Sequence, residues 1–303
     1  MRFSIHNVIY SFVVLIGLMS VSCSEDDAII PNNNIYLDIP DAHFETQLIE
    51  LGIDSDGIVN QRILKSDAEA VTRLDLNHSS HFGEIADLAG IEGFVNITYL
   101  SAVGQEIEQV DLRANIKLDT LYLSANYLTT IDLSNNPNLV FLDLQVNELN
   151  TIEGLSEANH LREVNLSWNN FETISIQNES IEVLLITHNL LKSIDTNGAS
   201  SLKNVLMISN QLTAVDFSSN TLLETLVISD NQLQDINLTQ NSSLTHLYIS
   251  SNSLTSLDVS NNQSLIDLRV DRNPELNCIK VLGDQEIPTL SLSDNQELNS
   301  TCS

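Results

Sequence analysis

The chain has 303 residues, 42% of them hydrophobic, so it can bury a large core, yet its richness in Leu, Ile, Asn and Ser reflects a repeated unit and not two ordinary domains. Its 41 acidic residues against 12 basic ones give a formal net charge of -29, which argues against nucleic acid as a partner and against adsorption onto anionic lipid. No nucleophile elbow, P-loop, zinc spacing or dinucleotide fingerprint occurs, so no catalysis, cofactor or metal is expected.

Residues 1–22 carry one charge, Arg2, ahead of an apolar run from Val8 to Met19, which is the layout of a secretory signal peptide and too short to span a bilayer comfortably. Ser20-Val21-Ser22-Cys23 then places small residues before a cysteine and resembles the lipobox of bacterial lipoproteins, with Ser20 where Leu is usual. That resemblance implies a lipidated Cys23 as the mature N-terminus, joined to the membrane by its lipid. The acidic Ser24-Glu25-Asp26-Asp27 resembles the export signal of some Gram-negative surface lipoproteins, and Pro31-Asn32-Asn33-Asn34 extends residues 23–36 as a flexible tether. The expected location is the bacterial outer membrane, lipid-anchored and surface-exposed.

Residues 37–70 read as a small helical cap. Asp41 is the expected N-cap of a helix whose face carries Phe44, Leu48 and Leu51 and which ends at Gly52. Ser66-Asp67-Ala68-Glu69 reads as a capping box opening a second helix. Between them Asp54-Ser55-Asp56-Gly57 invites a calcium reading, but the EF-hand frame puts Gly52 and Ile63 where the first and last ligands belong, so a turn with Gly57 at positive φ is favoured. Such a lid covers Leu74 and Leu76, which the open end of a stacked array would otherwise expose.

From Val71 to Ser303 one frame recurs every 21 residues or so, restarting at Ile97, Leu118, Leu139, Leu161, Ile181, Leu202, Leu223, Leu244, Leu265 and Ile287. The unit Leu118–Leu133 begins with Leu121 and Leu123 alternating with Thr120, Tyr122 and Ser124, the signature of a strand with one buried face. Asparagine recurs eight residues after each start, at Asn126, Asn147, Asn169, Asn189, Asn210, Asn231, Asn252, Asn273 and Asn295, where an inward amide can satisfy backbone groups of the bend. Ser79 and Gln105 replace it in the first coils, and an insertion runs from Ser80 to Gly93. The pattern L-x-x-L-x-L-x-x-N-x-L-x-x-L-D-L-x-x-N resembles the bacterial leucine-rich repeat family, in its short class of two nested half-repeats. The fold expected is therefore a β-rich solenoid: an arc with a parallel concave sheet, a thin strand-like convex side and a helical N-terminal cap, flatter than helix-backed horseshoes.

Cys278 and Cys302 fall in adjacent last coils at nearly the same phase, about 4.8 Å apart, a separation compatible with a disulfide. His188 and His246, read as concave, are three coils apart, about 14 Å, too far to share a metal. A column of Asp111, Asp132, Glu153, Asp195, Asp216 and Asp258, with Ser175 and Asn237 in the gaps, is better read as turn carboxylates accepting backbone N–H groups than as a cation ladder.

Outward positions of the concave sheet bring together Val183, Leu185, Leu206, Ile208, Val227 and Tyr248, where a solvated sheet would carry Thr, Ser and charges. Tyr122, Phe141 and Trp168 form a second group on consecutive coils, and the face turns charged at Asp267, Arg269, Asp271 and Arg272. The expected function is macromolecular recognition, with a protein ligand on the concave face, the apolar strip as its centre and Arg269 and Arg272 on its rim. Family resemblance implies adhesion or recognition. The alternatives are glycan binding, with Tyr122, Phe141 and Trp168 as stacking platforms, and a non-catalytic envelope scaffold.

Overall fold

The computed structural model describes residues 35–77 and 83–302. The alternating half of the repeat forms eleven parallel strands in one sheet, Arg73–Asp75, Tyr99–Ser101, Thr120–Tyr122, Phe141–Asp143, Glu163–Asn165, Val183–Leu185, Asn204–Leu206, Thr225–Val227, His246–Tyr248, Asp267–Arg269 and Thr289–Ser291, stacked in chain order. In the first ten strands the central residue points inward, with Leu100, Leu121, Leu142, Val164, Leu184 and Val205 all fully buried, whereas Leu290 of the last strand is 44% exposed. The second half of the repeat is strand-like where it is ordered as a ladder, with Thr173–Ser175 beside Ser193–Asp195, a three-strand ladder of Leu257–Asp258, Cys278–Lys280 and Glu297–Asn299, and a single bridge between Asp132 and Glu153. The solenoid with a concave parallel sheet and a thin convex side is thus as the repeat predicts.

Strand alternation alone would leave the recurring asparagines pointing outward. In eight consecutive coils the preceding residue inverts the direction by adopting left-handed backbone: Ala125, Val146, Trp168, His188, Ser209, Asp230, Ser251 and Arg272 all have φ between 53° and 59°. Each non-glycine residue there costs about 1 kcal/mol or more. The asparagine offsets it. Asn210 Nδ2 donates to the carbonyls of Ile186 and Met207 at 3.0 and 3.1 Å, and its Oδ1 accepts the Leu191 N–H at 3.1 Å. Gln105 does the same work in an early coil, accepting the N–H groups of Gly83 and Ile85 and donating to Leu76 O. At the other end the expected Asn295 is exposed, and Gln296 takes the inward place, donating to Val270 O and Asn273 O. The longer Gln side chain reaches Val270 O, the carbonyl that the ladder position takes in the preceding coil, from one residue later.

A second ladder, not foreseen, closes the convex turn. Asn115, Asn136, Asn220, Asn241 and Asn262 are fully buried, and each donates to carbonyls of the preceding coil, as Asn262 does to Leu238 O and Asn241 O. Ala158 and Ala199 interrupt it, both fully buried.

The cap is more mixed than a pair of helices. Tyr36–Asp38 and Arg62–Leu64 pair antiparallel, flanking α1 (Ala42–Glu50) and preceding α2 (Lys65–Ala70). Asp41 caps α1 through its carboxylate, which accepts the N–H groups of His43 and Phe44. Phe44 and Leu48 are fully buried as expected, but Leu51 is the C-cap, 44% exposed, because the helix ends before its side chain can turn inward. The capping box does not form: α2 starts one residue before Ser66, directly from the strand, and its N-cap Leu64 makes no side-chain bond. Buried Glu45 instead ties the loop to α1, its carboxylate accepting the N–H groups of Asn60, Gln61 and Arg62 at 2.8 to 3.0 Å. Gly57 has φ 66°, the favoured turn, with Asp56 accepting the Ile58 N–H.

Cys278 and Cys302 are joined by a disulfide with Cα atoms 5.8 Å apart. Cap and repeats share one apolar core, from Leu37 and Phe44 to Ile279 and Ile287, within a single unit of Ile35–Ser303. The signal peptide expected at 1–22, Cys23 and the tether up to Asn34 lie outside the described residues, as do Ser79 and the start of the insertion at Ser80. Among the described residues, no helix is long and apolar enough to cross a membrane.

Candidate functional site

Strand register fixes which outward side chains are neighbours. One row runs Tyr122, Asp143, Asn165, Leu185, Leu206, Val227, Tyr248 and Arg269 across successive strands. Its apolar part, Leu185 to Tyr248, covers four coils, or about 14 Å at the spacing of paired strands. Val183 flanks Leu185 on the same strand, and Ile208 flanks Leu206 two residues further on. Five of these six side chains are half-buried, and Val227 is buried at 8% exposure because its neighbours crowd it from both sides.

The strip ends in a closed polar network. Arg269 lies over the Tyr248 ring, 4.2 Å from its centroid, and its guanidinium donates to Asp267 at 3.0 Å, which also accepts the Tyr248 hydroxyl at 2.9 Å. Burial works to raise the Asp267 carboxyl, but the bonds from Arg269 and Tyr248 outweigh it and hold the group below the usual carboxylate range. Asp271 accepts from Ser250 and Ser291 hydroxyls and from Arg272. Arg269, placed on the rim by the sequence, has its charge engaged within the chain.

The second aromatic group is divided. Tyr122 and Phe141 have ring centroids 4.8 Å apart at a tilt of 36°, and Tyr99, which the sequence reading did not single out, extends the cluster at 5.7 Å from Tyr122, with the Arg73 guanidinium 3.3 Å from the Tyr99 centroid. Trp168 stands elsewhere, three residues past its strand at the left-handed corner, 53% exposed and stacked on His188 at 3.8 Å and 6°. His188 thus leaves the concave sheet for the corner, whereas His246 stays in its strand, edge-on to Tyr248 at 6.3 Å. Tyr127, Val146 and Leu190 add exposed apolar surface at neighbouring corners.

Between the two groups sits Asp143, buried, accepting from the backbone N–H and side-chain amide of Gln145. Burial pushes its carboxyl up. The convex carboxylate column behaves as turn caps: Asp111, Asp132, Asp195, Asp216 and Asp258 each accept the N–H two residues on, and Asn237 does so in their place in its coil. Glu153 departs, followed by Gly154 at φ 81°, and contributes through its backbone bridge to Asp132. Among the described residues no cluster of three His, Cys, Asp or Glu side chains is arranged to hold a metal ion.

No protein-family model and no curated protein matches the sequence. Solved structures do. The leucine-rich repeat domain of APL1 is similar with a TM-score of 0.61 at 22% identity, over 77% of this chain and 65% of that one. Toll in the Toll–Spatzle complex of Drosophila gives 0.61 at 16% identity, over 79% and 35%. A leucine-rich repeat protein of Leptospira interrogans gives 0.53 at 19% identity, over 77% and 68%. At such identities the likeness shows the fold: the solenoid is a leucine-rich repeat.

Proposed function

We propose that this protein is a lipid-anchored surface protein of a bacterial outer membrane whose concave sheet recognises another protein. The observation that carries the binding role is the in-register apolar row Leu185, Leu206, Val227 and Tyr248, on the outward side of a sheet where solvated strands carry Thr, Ser or charge. A strip of this kind lowers solubility, and a protein partner that covers it is its simplest use. The anchor rests on the sequence around Cys23 alone. Similarity to Toll, whose solved structure is that of the Toll–Spatzle complex, supports the class of partner. Tyr122 and Phe141 meet at a tilt and Trp168 already stacks on His188, so a protein ligand is preferred to glycan stacking.

Leu206→Asp places a charge at the middle of the strip and is expected to weaken partner capture from host or bacterial surface extracts by at least about 2 kcal/mol, with an unchanged circular dichroism spectrum. Capture that survives Leu206→Asp but is abolished by Trp168→Ala would move the binding surface to the corner. Labelling with a fatty-acid analogue tests the anchor: a Cys23→Ala protein that remains labelled and membrane-bound would refute it.

A further inference from the structure

We infer that the partner segment seated on this strip is a cationic amphipathic α-helix of about three turns, an inference that rests on the concave face being the binding face. The row Leu185, Leu206, Val227 and Tyr248 runs across the strands, so a ligand following it meets one side chain about every 4.8 Å. A helix presents one face every 5.4 Å, and over the three steps of the row it slips by only about 2 Å. An extended peptide presents like-facing side chains about every 6.6 Å and drifts by roughly a whole coil over the same distance. Backbone chemistry separates the two further. The strands carrying the row are interior to the sheet and paired on both edges, so they offer an extended peptide no ladder. Its N–H and C=O groups would be buried against Leu and Val without partners, whereas a helix satisfies its own.

Width and length agree. The rows to either side lie two residues away along each strand, so the three rows span about 13 Å, comparable to a helix of about 10 to 12 Å diameter. Beside the strip those flanking rows carry no Asp, Glu, Lys or Arg, with Val183, Asn204, Thr225 and His246 on one side and Thr187, Ile208, Ser229 and Ser250 on the other. Asn165 bounds the strip at one end and the Arg269–Asp267 pair at the other, which limits the apolar contact to about three turns.

Charge sets the sign of the helix's polar flanks. Arg162 and Lys203 both bind Glu182, Arg269 binds Asp267, and Arg272 binds Asp271. Glu163, Glu224 and Asp230 have no basic side chain within ion-pair distance among the described residues. What the surroundings of the strip leave uncompensated is therefore negative, as is the chain's net charge of -29. Lys or Arg on the flanks of the helix meets that field.

The test uses the full protein and three labelled synthetic peptides, read by fluorescence anisotropy at about physiological salt, where exposed charges are screened beyond roughly 8 Å. The first is a Leu/Lys peptide with Leu at i, i+3, i+4 and i+7. Its period-2 isomer has the same composition, and a Leu/Glu peptide keeps the helical pattern. The helical Leu/Lys peptide is expected to bind at least tenfold more tightly than either other peptide, and Leu206→Asp and the milder Leu185→Gln, each checked for fold by circular dichroism, are expected to weaken it at least fivefold. Absence of binding by the helical peptide, or equal binding by its isomer or by the Leu/Glu peptide, overturns the inference. Tighter binding of the isomer that Leu206→Asp removes would sink the helix while leaving the concave face standing. Binding indifferent to both variants would sink both.

Discussion

Replacing Asn210 by Ala should be among the most costly single changes available in this chain. The side chain is 8% exposed and serves four backbone groups: it accepts the Leu191 N–H at 3.1 Å and donates to the carbonyls of Ile186, Met207 and Ile208 at 3.0, 3.1 and 3.4 Å. Truncation strands one buried N–H, at about 1–3 kcal/mol, and under-satisfies two well-bonded carbonyls at about 1 kcal/mol each, for a total of roughly 3–5 kcal/mol. Urea unfolding followed by circular dichroism should show the midpoint falling by at least about 1 M for a slope near 3 kcal/mol/M. Asn295→Ala is the control, because Asn295 is exposed and its longer contact to Leu276 O is 3.4 Å. Its shift should stay within about 0.5 kcal/mol. Equal effects of the two substitutions would refute the account of the ladder as a set of buried backbone partners.

Val146 is β-branched, 49% exposed and held at φ 57°, so Val146→Gly should raise stability by about 1 kcal/mol, and a loss in the same urea assay would show that the corner stores no strain. Acid titration should expose the convex caps. Hydrogen bonds from the Arg113 side chain and then its backbone N–H hold Asp111 at about 2, and bonds from Ser134 and Ser218 lower Asp132 and Asp216. Because these folded values lie below the unfolded ones, the stabilisation is complete above about pH 4 and is lost as pH falls toward 2. Asp143 has the opposite sign, raised by burial, so Asp143→Asn should be stabilising at pH 7 and lose that advantage as acid protonates the native carboxyl, which melting curves at both pH values would check. Reduction of the Cys278–Cys302 bond, which joins residues 24 apart, should cost about 3 kcal/mol, and an unchanged urea midpoint in Cys302→Ser would contradict it.

The sequence by itself determined the architecture, because a solenoid is built from contacts between identical positions of adjacent coils. A period of about 21 residues with Leu121 and Leu123 in alternation leaves one buried face, and nine asparagines at one phase leave one place for the bend. The Asp41 cap and the turn carboxylates were legible for the same reason: each acts within two or three residues of itself. The apolar row was legible because register follows from the repeat. Only the tertiary structure decided what happens past each strand. A left-handed residue at the corner inverts alternation, sending Asn169 inward and Trp168 outward to meet His188, and no two-residue period anticipates a change in the sign of φ. Tertiary contact also decided that Arg269 lies over Tyr248 and bonds Asp267, and that Gln296 supplants Asn295 where the last coil lacks a successor. Those outcomes depend on side-chain reach across coils, a distance in space that spacing along the chain does not encode.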